Sequence, residues 1–294
     1  GFGFFHFSNG FVPVENFPRQ LRSYQIALGI GSKKGVVIQF VTSESIQGRQ
    51  EIHLARLIHF GVSFGGFLWK KKINLINFFE ITESLINYLR DNNFSSCILK
   101  NPPFLYNKNP NEETEYALIK NGFNVSSVSI SNIIDLENFE FRKISEPKKR
   151  SIRKSLKKIQ LEIISGEMTE DSFREYYEIL LKNRELKGVK PTHSLEELIY
   201  LRKNIGNDIV FFSATIESKV VAICILFSIN KEMILNFYLA DDENYKMDRV
   251  SEFILFKSIE WAKENNYKYY DTGTSDSGGK LIEGLFAFKK NFLA

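Results

Sequence analysis

The stretch that most constrains this chain is residues 208–240. Three apolar runs, 208–216, 219–229 and 232–240, are separated only by the short polar turns ESK and NKE. Runs of strand length, rich in Val, Ile, Leu and Phe and joined this tightly, fold back on one another as an antiparallel meander. A helical pattern over 247–265 comes next, then a strand at KYYDTG (268–273), a Gly-rich loop and a last helix through Lys290. With the strand at 161–165 and helices at 170–186 and from Ser194 onward, the order reads β-α-α-β-β-β-α-β-α. That order calls for an α+β fold in which helices flank a mixed, mostly antiparallel sheet.

A second block precedes it. Strands at 24–29 and 36–42 flank the turn GSKKG, a loop occupies 59–72, and residues 74–92 carry apolar positions at helical spacing. A short strand at 95–100, the proline-broken PPFLYNKNP and the helix EETEYALIKNGF follow. Asn121-Gly122 closes that helix as a C-cap, because Gly reaches the left-handed conformation a helix end needs. Residues 125–136 alternate as a long strand. Between the blocks lies KISEPKKRSIRKSLKKIQ (143–160), with Pro147 in the first turn, where it is tolerated. Ile152, Leu156 and Ile159 share one face, and Lys148, Lys149, Arg150, Arg153, Lys154, Lys157 and Lys158 cover the other. The 294 residues therefore divide into domains 1–142 and 143–294, the second opening with the basic helix. Ser194 starts a helix in the capping-box form S-x-x-E.

Hydrophobic residues at 43% and charged residues at 25% describe a globular chain, and no run approaches the ~20 apolar residues of a membrane helix, so membrane insertion is not expected. The start, GFGFFHFSNG, has no basic n-region and no cleavage site, so it does not read as a secretory signal. Opening on Gly and stopping at NFLA, the chain is expected to be incomplete at both ends. Cys97 and Cys224 each sit in a strand-like run and read as buried free thiols, which points to a reducing cytoplasm. His6, His53, His59 and His193 show no ligand spacing, so no metal is expected. The net charge of +4 suits a phosphate-bearing ligand and falls short of a DNA binder. The basic helix lacks the interleaved aromatics of single-strand binders. Its cations can face tRNA, a lipid-linked sugar phosphate or water.

Five motifs in order carry a resemblance: SFGG (63–66), KNPPFLYNKNPNEETEYALIKNGF (100–123), RSIRKSLKK (150–158), KGVKPTHSLEEL (187–198) and YYDTGTSDSGGKLIEGLFAFKKNF (269–292). Together they resemble the FemAB-like branch of the GNAT acyltransferases, over nearly four-fifths of the chain. The resemblance implies two tandem acyl-CoA N-acyltransferase-like domains. It implies an N-acyltransferase with acyl-CoA (acetyl-CoA) as co-substrate and an amine acceptor, a small molecule or an amino-sugar or other cell-envelope precursor. An aminoacyl-tRNA-dependent transferase that builds peptidoglycan cross-bridges and a non-catalytic binding module are the alternatives. The chain departs from the pattern before the long helix. There GNAT enzymes carry a Q/R-x-x-G-x-G/A loop for the CoA pyrophosphate, and YKMDRVSEF has no glycine.

Acyl transfer to an amine needs a base, a donor aimed at the developing oxyanion and a place for phosphates. The start of the helix near Met247 offers free N–H groups and the positive dipole end. Met247, Asp248, Arg249, Val250 and Ser251, with Tyr238, are therefore the expected cofactor-binding residues, although Arg249 also reads as a solvated cation. The resemblance places stabilisation of the tetrahedral intermediate on Lys289, directly after Phe288; the plainer reading is a lysine favoured by a helix C-terminus. Asp271, at a strand end, either orients or deprotonates the acceptor or bonds its own loop. Glu283 is a candidate base or a helix-capping partner. Ser63, Gly65, Gly66, Tyr106, Lys190 and His193 are the expected acceptor-binding residues. The alternatives are a tight turn for the glycines and a loop-ordering role for His193.

Overall fold

The computed structural model describes residues 36–37, 40–42, 57–58, 67–69, 74–91, 99, 101–107, 112–125, 127–164 and 168–292. The chain forms two compact units, Phe4–Ser126 and Ser127–Ala294. In the first, β1 (Val36–Val37) pairs antiparallel with β3 (Leu57–Ile58), and β2 (Phe40–Thr42) pairs parallel with β4 (Phe67–Trp69). Helix α1 (Leu75–Asp91) buries Phe78, Ile81 and Leu85, spaced three and four apart on one face. It packs on α2 (Glu113–Lys120), where Phe79 meets Tyr116 edge-on at 5.9 Å. Helix α2 ends as its sequence requires. Asn121 Nδ2 donates to Ala117 O, Gly122 takes φ +91°, and Phe123 N–H reaches back to Leu118 O.

The second unit begins at Ser127, ahead of the expected 142/143 boundary. Its strand β5 (Ser131–Asp135) joins the sheet of this unit, and strand geometry covers only the end of the alternating run 125–136. Helix α3 (Glu146–Ser155), β6 (Gln160–Ile164), α4 (Glu170–Glu185) and α5 (Leu195–Ile205) follow. The capping box at Ser194 is formed in both directions with Glu197. The meander is β7 (Ile209–Ile216), β8 (Lys219–Ser228) and β9 (Met233–Asp241), then α6 (Val250–Glu264) and β10 (Tyr269–Thr274). The Gly-rich segment folds into a small hairpin, β11 (Asp276–Ser277) with β12 (Lys280–Leu281), before α7 (Glu283–Lys290).

Six strands stand in the order β5-β10-β9-β8-β7-β6, and every pair is antiparallel except β9 with β10. One face of the sheet buries Phe212, Cys224, Ile234 and Tyr270 against Phe253, Ile254 and Ile259 of α6 and Phe292. On the other, Phe173 of α4 meets Phe211 edge-on at 5.3 Å. Cys224 is fully buried and its thiol is pushed up to about 12 by that burial; Cys97 lies outside the described residues. The basic helix is less solvated than its composition suggested. Lys148, sitting 4.2 Å from the Phe288 ring centre, pairs with buried Glu252 at 3.0 Å, Lys149 is buried against Glu146 and Arg142 O, and Lys158 takes Asp248. Arg150, Lys154 and Lys157 remain exposed. Among the described residues no helix is long and apolar enough to cross a membrane.

Candidate active site

The parallel pair β9–β10 stays in register through Leu235↔Asp271. Just beyond that point both strands bulge. On β9 the partners of Ile225 and Leu226 are Tyr238 and Asn236, so Phe237 is the extra residue. On β10 the partners of Ile133 and Ser131 are Asp271 and Thr274, so Thr272-Gly273 holds the extra one. A bulge bends its strand and re-aims the side chains that follow. Two at neighbouring positions end the pairing of these strands and make this end of the sheet the natural place for a site.

Lys289 of α7 reaches this end. Its Nζ donates to Gly273 O at 2.8 Å and Thr274 O at 2.7 Å, and the residue is 8% exposed. Burial pulls its pKa down to about 8, against the opposing pull of Asp271 and Asp276. Two of its three N–H donors are used, and the third has no partner among the described residues. Gly273 makes this possible. Its φ is +78°, and a Cβ there would lie 3.3 Å from Asn236 O and 3.9 Å from Lys289 Nζ. Asp271, 1% exposed, accepts from the Gly273 N–H at 2.7 Å and from the Ser131 hydroxyl, so its carboxylate organises the turn. Thr272 and Ser275 fasten the same segment to Asn132 through its O and Oδ1, both at 2.8 Å. Glu283 stands exposed in the first turn of α7.

His193 and Tyr238 form a second group. The Tyr238 hydroxyl accepts from the His193 backbone N–H at 3.0 Å and lies 2.9 Å from its Nδ1. The imidazole lies among Phe227, Phe237 and Tyr238, and burial depresses its pKa to about 4. It is therefore neutral at ordinary pH. The same burial raises Tyr238 to about 12. Lys190 is exposed in the adjoining loop.

The expected phosphate-binding helix start differs from the sequence reading. Residues Glu243–Asp248 form a 3-10 turn, Arg249 is left-handed at φ 58°, and α6 begins only at Val250, not Met247. The left-handed residue breaks the helical run, which periodicity alone does not reveal. Met247 is 79% exposed and Val250 wholly buried. The groups around this start already have partners. Asp248 takes Lys158 at 2.8 Å, Ser251 Oγ donates to Asp241 at 2.8 Å, and Arg249 lies 3.7 Å from Glu252. Tyr106 is buried in the first unit, in the 3-10 turn Phe104–Tyr106, and Ser63, Gly65 and Gly66 lie outside the described residues.

Sequence reasoning passed over Gly273, Asn236 and the end of α4. Asn236 Oδ1, on the β9 bulge, is a buried side-chain atom with no hydrogen-bond partner among the described residues. At the end of α4, Arg184 lies 5.8 Å from the Tyr238 ring centre. A glycine in DTGT was visible as a turn signal, but the facing bulge on β9 left no mark in the residues.

No family model and no curated protein matches the chain. Solved structures do share its fold. The C-terminal domain (DUF2156) of a putative lysylphosphatidylglycerol synthetase from Agrobacterium fabrum superposes with a TM-score of 0.56 at 12% identity, over 87% of this chain and 76% of that one. FemX superposes with a TM-score of 0.55 at 11% identity, over 92% of this chain and 90% of its own. At such identities the likeness speaks for the fold. The chain shares the α+β fold of these two structures, with a six-stranded, mostly antiparallel sheet flanked by helices.

Proposed function

We propose that this chain transfers an acyl group to an amine, with Lys289 as the cation that meets negative charge on the acyl carbonyl oxygen. The observation that carries the reading is the setting of Lys289. It is a desolvated ammonium, pinned by two carbonyls beside the paired bulges, with one donor to spare. A fixed donor in a water-poor site stabilises an oxyanion far more than the same group in water, and losing one costs roughly 100- to 1000-fold in rate.

The chemistry follows from that placement. The amine nitrogen attacks the acyl carbon, and the carbonyl oxygen gains charge against the Lys289 N–H. Collapse then breaks the bond to the donor, and the amine proton leaves to water or to the departing group. Asp271 is a positioning residue, because it holds the turn whose carbonyls hold Lys289. His193 is too weak a base to take a proton from an ammonium, and it serves as a neutral hydrogen-bonding group beside the acceptor. We take acyl-CoA as the donor and an amine of a small molecule or cell-envelope amino-sugar precursor as the acceptor, in the cytoplasm. The fold shared with FemX and with the domain of a lysylphosphatidylglycerol synthetase supports a transferase.

A second reading, with aminoacyl-tRNA as donor, draws on the start of α6. That start lacks the glycines of a pyrophosphate loop and carries the carboxylates of Asp248 and Glu252. The test supplies the full chain with labelled acetyl-CoA or charged tRNA and a panel of amino-sugar acceptors. Label moving from acetyl-CoA to an amine supports the first reading, and label moving only from tRNA supports the second. Absence of transfer from either donor would sink both.

A further inference from the structure

The end of α4 carries an arrangement that the acyl-transfer site does not use. Asn183 is 4% exposed, and its Nδ2 donates to Asp241 at Oδ1 (2.8 Å) and at the backbone O (3.1 Å). Asp241 is itself held on its other oxygen by Ser251. These bonds fix which way the Asn183 amide points. Its Oδ1 then accepts from two cations at once, Arg184 Nη1 at 3.1 Å and Lys187 Nζ at 2.7 Å.

Two positive groups thus converge on one neutral oxygen. Neither makes an ion pair among the described residues, whereas Lys148, Lys149 and Lys158 each meet a carboxylate. Arg184 is half-buried over Tyr238 and, among the described residues, uses one of its five donors. Burial lowers the pKa of both groups, and the charges of Arg184 and Lys246 lower that of Lys187 further, against the opposing pull of Asp241. Like charges held together and partly stripped of water are costly unless an anion sits between them. The planar guanidinium fork, with a mobile ammonium beside it, matches the oxygens of a phosphate.

We propose that Arg184 and Lys187 bind a phosphate group of a substrate beside the Tyr238–His193 pair. The role of that phosphate in catalysis rests on the acyl-transfer reading, and its binding does not. A phosphate held here also explains how a donor or acceptor is anchored when the start of α6 is filled by the chain's own carboxylates. The phosphate belongs either to a CoA-type donor or to a sugar-nucleotide acceptor.

Calorimetry on the full chain with inorganic pyrophosphate, CoA and UDP-N-acetylglucosamine tests this. Pyrophosphate is expected to bind saturably and more weakly at high salt. Arg184→Gln is expected to weaken it about tenfold or more, Lys187→Gln several-fold, and Arg184→Lys less than Arg184→Gln. Arg150→Gln, on the exposed side of α3, should leave it unchanged. Tighter binding of CoA than of pyrophosphate assigns the phosphate to the donor, and tighter binding of the sugar nucleotide assigns it to the acceptor. Thermal melts of each variant separate lost binding from lost folding, and Lys187→Gln, at the surface, serves if Arg184→Gln does not fold. The inference is overturned if none of the three probes binds the wild-type chain, or if folded Arg184→Gln binds as the wild type does. Lys289→Met should bind pyrophosphate normally. Phosphate binding without acyl transfer would refute the transferase reading alone. Transfer with an unchanged KM in Arg184→Gln would refute this inference alone.

Discussion

Lys289 makes the stability of its unit depend on pH in an unusual direction. In the folded chain its pKa is about 8, against an ordinary lysine value of 10.5. Between those values the unfolded chain holds a proton that the folded chain has released. Unfolding then takes up a proton, so the contribution of Lys289 to stability rises with pH across this window, from its lowest below about 8 to its full value above 10.5. At about 1.4 kcal/mol per pH unit the whole gain is roughly 3 kcal/mol, of which roughly 2–3 falls between pH 7 and pH 10. Lys289→Met removes the titration and, independently of pH, leaves Gly273 O and Thr274 O without their donor. Urea unfolding can follow Trp261, which packs on Phe212 in the second unit, once Trp69 of the first is replaced by Phe. The stability of the Lys289 chain minus that of Lys289→Met should climb by the stated amount from pH 7 to pH 10. A difference that stays flat or falls would refute the argument that Lys289 is desolvated in the fold.

Other perturbations follow from the same geometry. Gly273→Ala forces an L side chain into φ +78° with its Cβ 3.3 Å from Asn236 O, so we expect a loss of roughly 1–3 kcal/mol in thermal unfolding and a fall in kcat larger than any rise in KM. Tyr238→Phe strands the His193 backbone N–H and should cost about 1–3 kcal/mol in urea unfolding; no change would mean that water replaces the hydroxyl without loss. Glu252→Gln leaves Lys148 beside the aromatic rings with no carboxylate and should cost about 3–5 kcal/mol. The exposed Lys246–Glu243 pair, broken the same way, should leave the urea midpoint essentially unmoved.

What the residues disclosed in advance was whatever depends on local periodicity and caps. The meander, the capping box at Ser194, the Asn121-Gly122 stop and the final helix are local patterns, and each forms where its residues call for it. What they concealed depends on partners distant in sequence. The strand 131–135 alternates like any other, and only its pairing with Tyr269–Asp271 assigns it to the second unit. The start of α6 moved because Arg249 is left-handed, a state that a bulky residue does not advertise. Lys148 and Lys158 looked solvated because their carboxylate partners, Glu252 and Asp248, lie about a hundred residues on. Lys289 was picked out by resemblance. Its two carbonyl partners and its burial are tertiary facts, as is the convergence of Arg184 and Lys187 on Asn183.

The most direct test of the account is the chemical rate of Lys289→Met under single-turnover conditions, with donor binding measured beside it. We expect the rate to fall roughly 100- to 1000-fold while the donor binds as before, with Lys289→Arg recovering part of the loss. A Lys289→Met chain that transfers acyl groups at the wild-type rate would contradict the central claim.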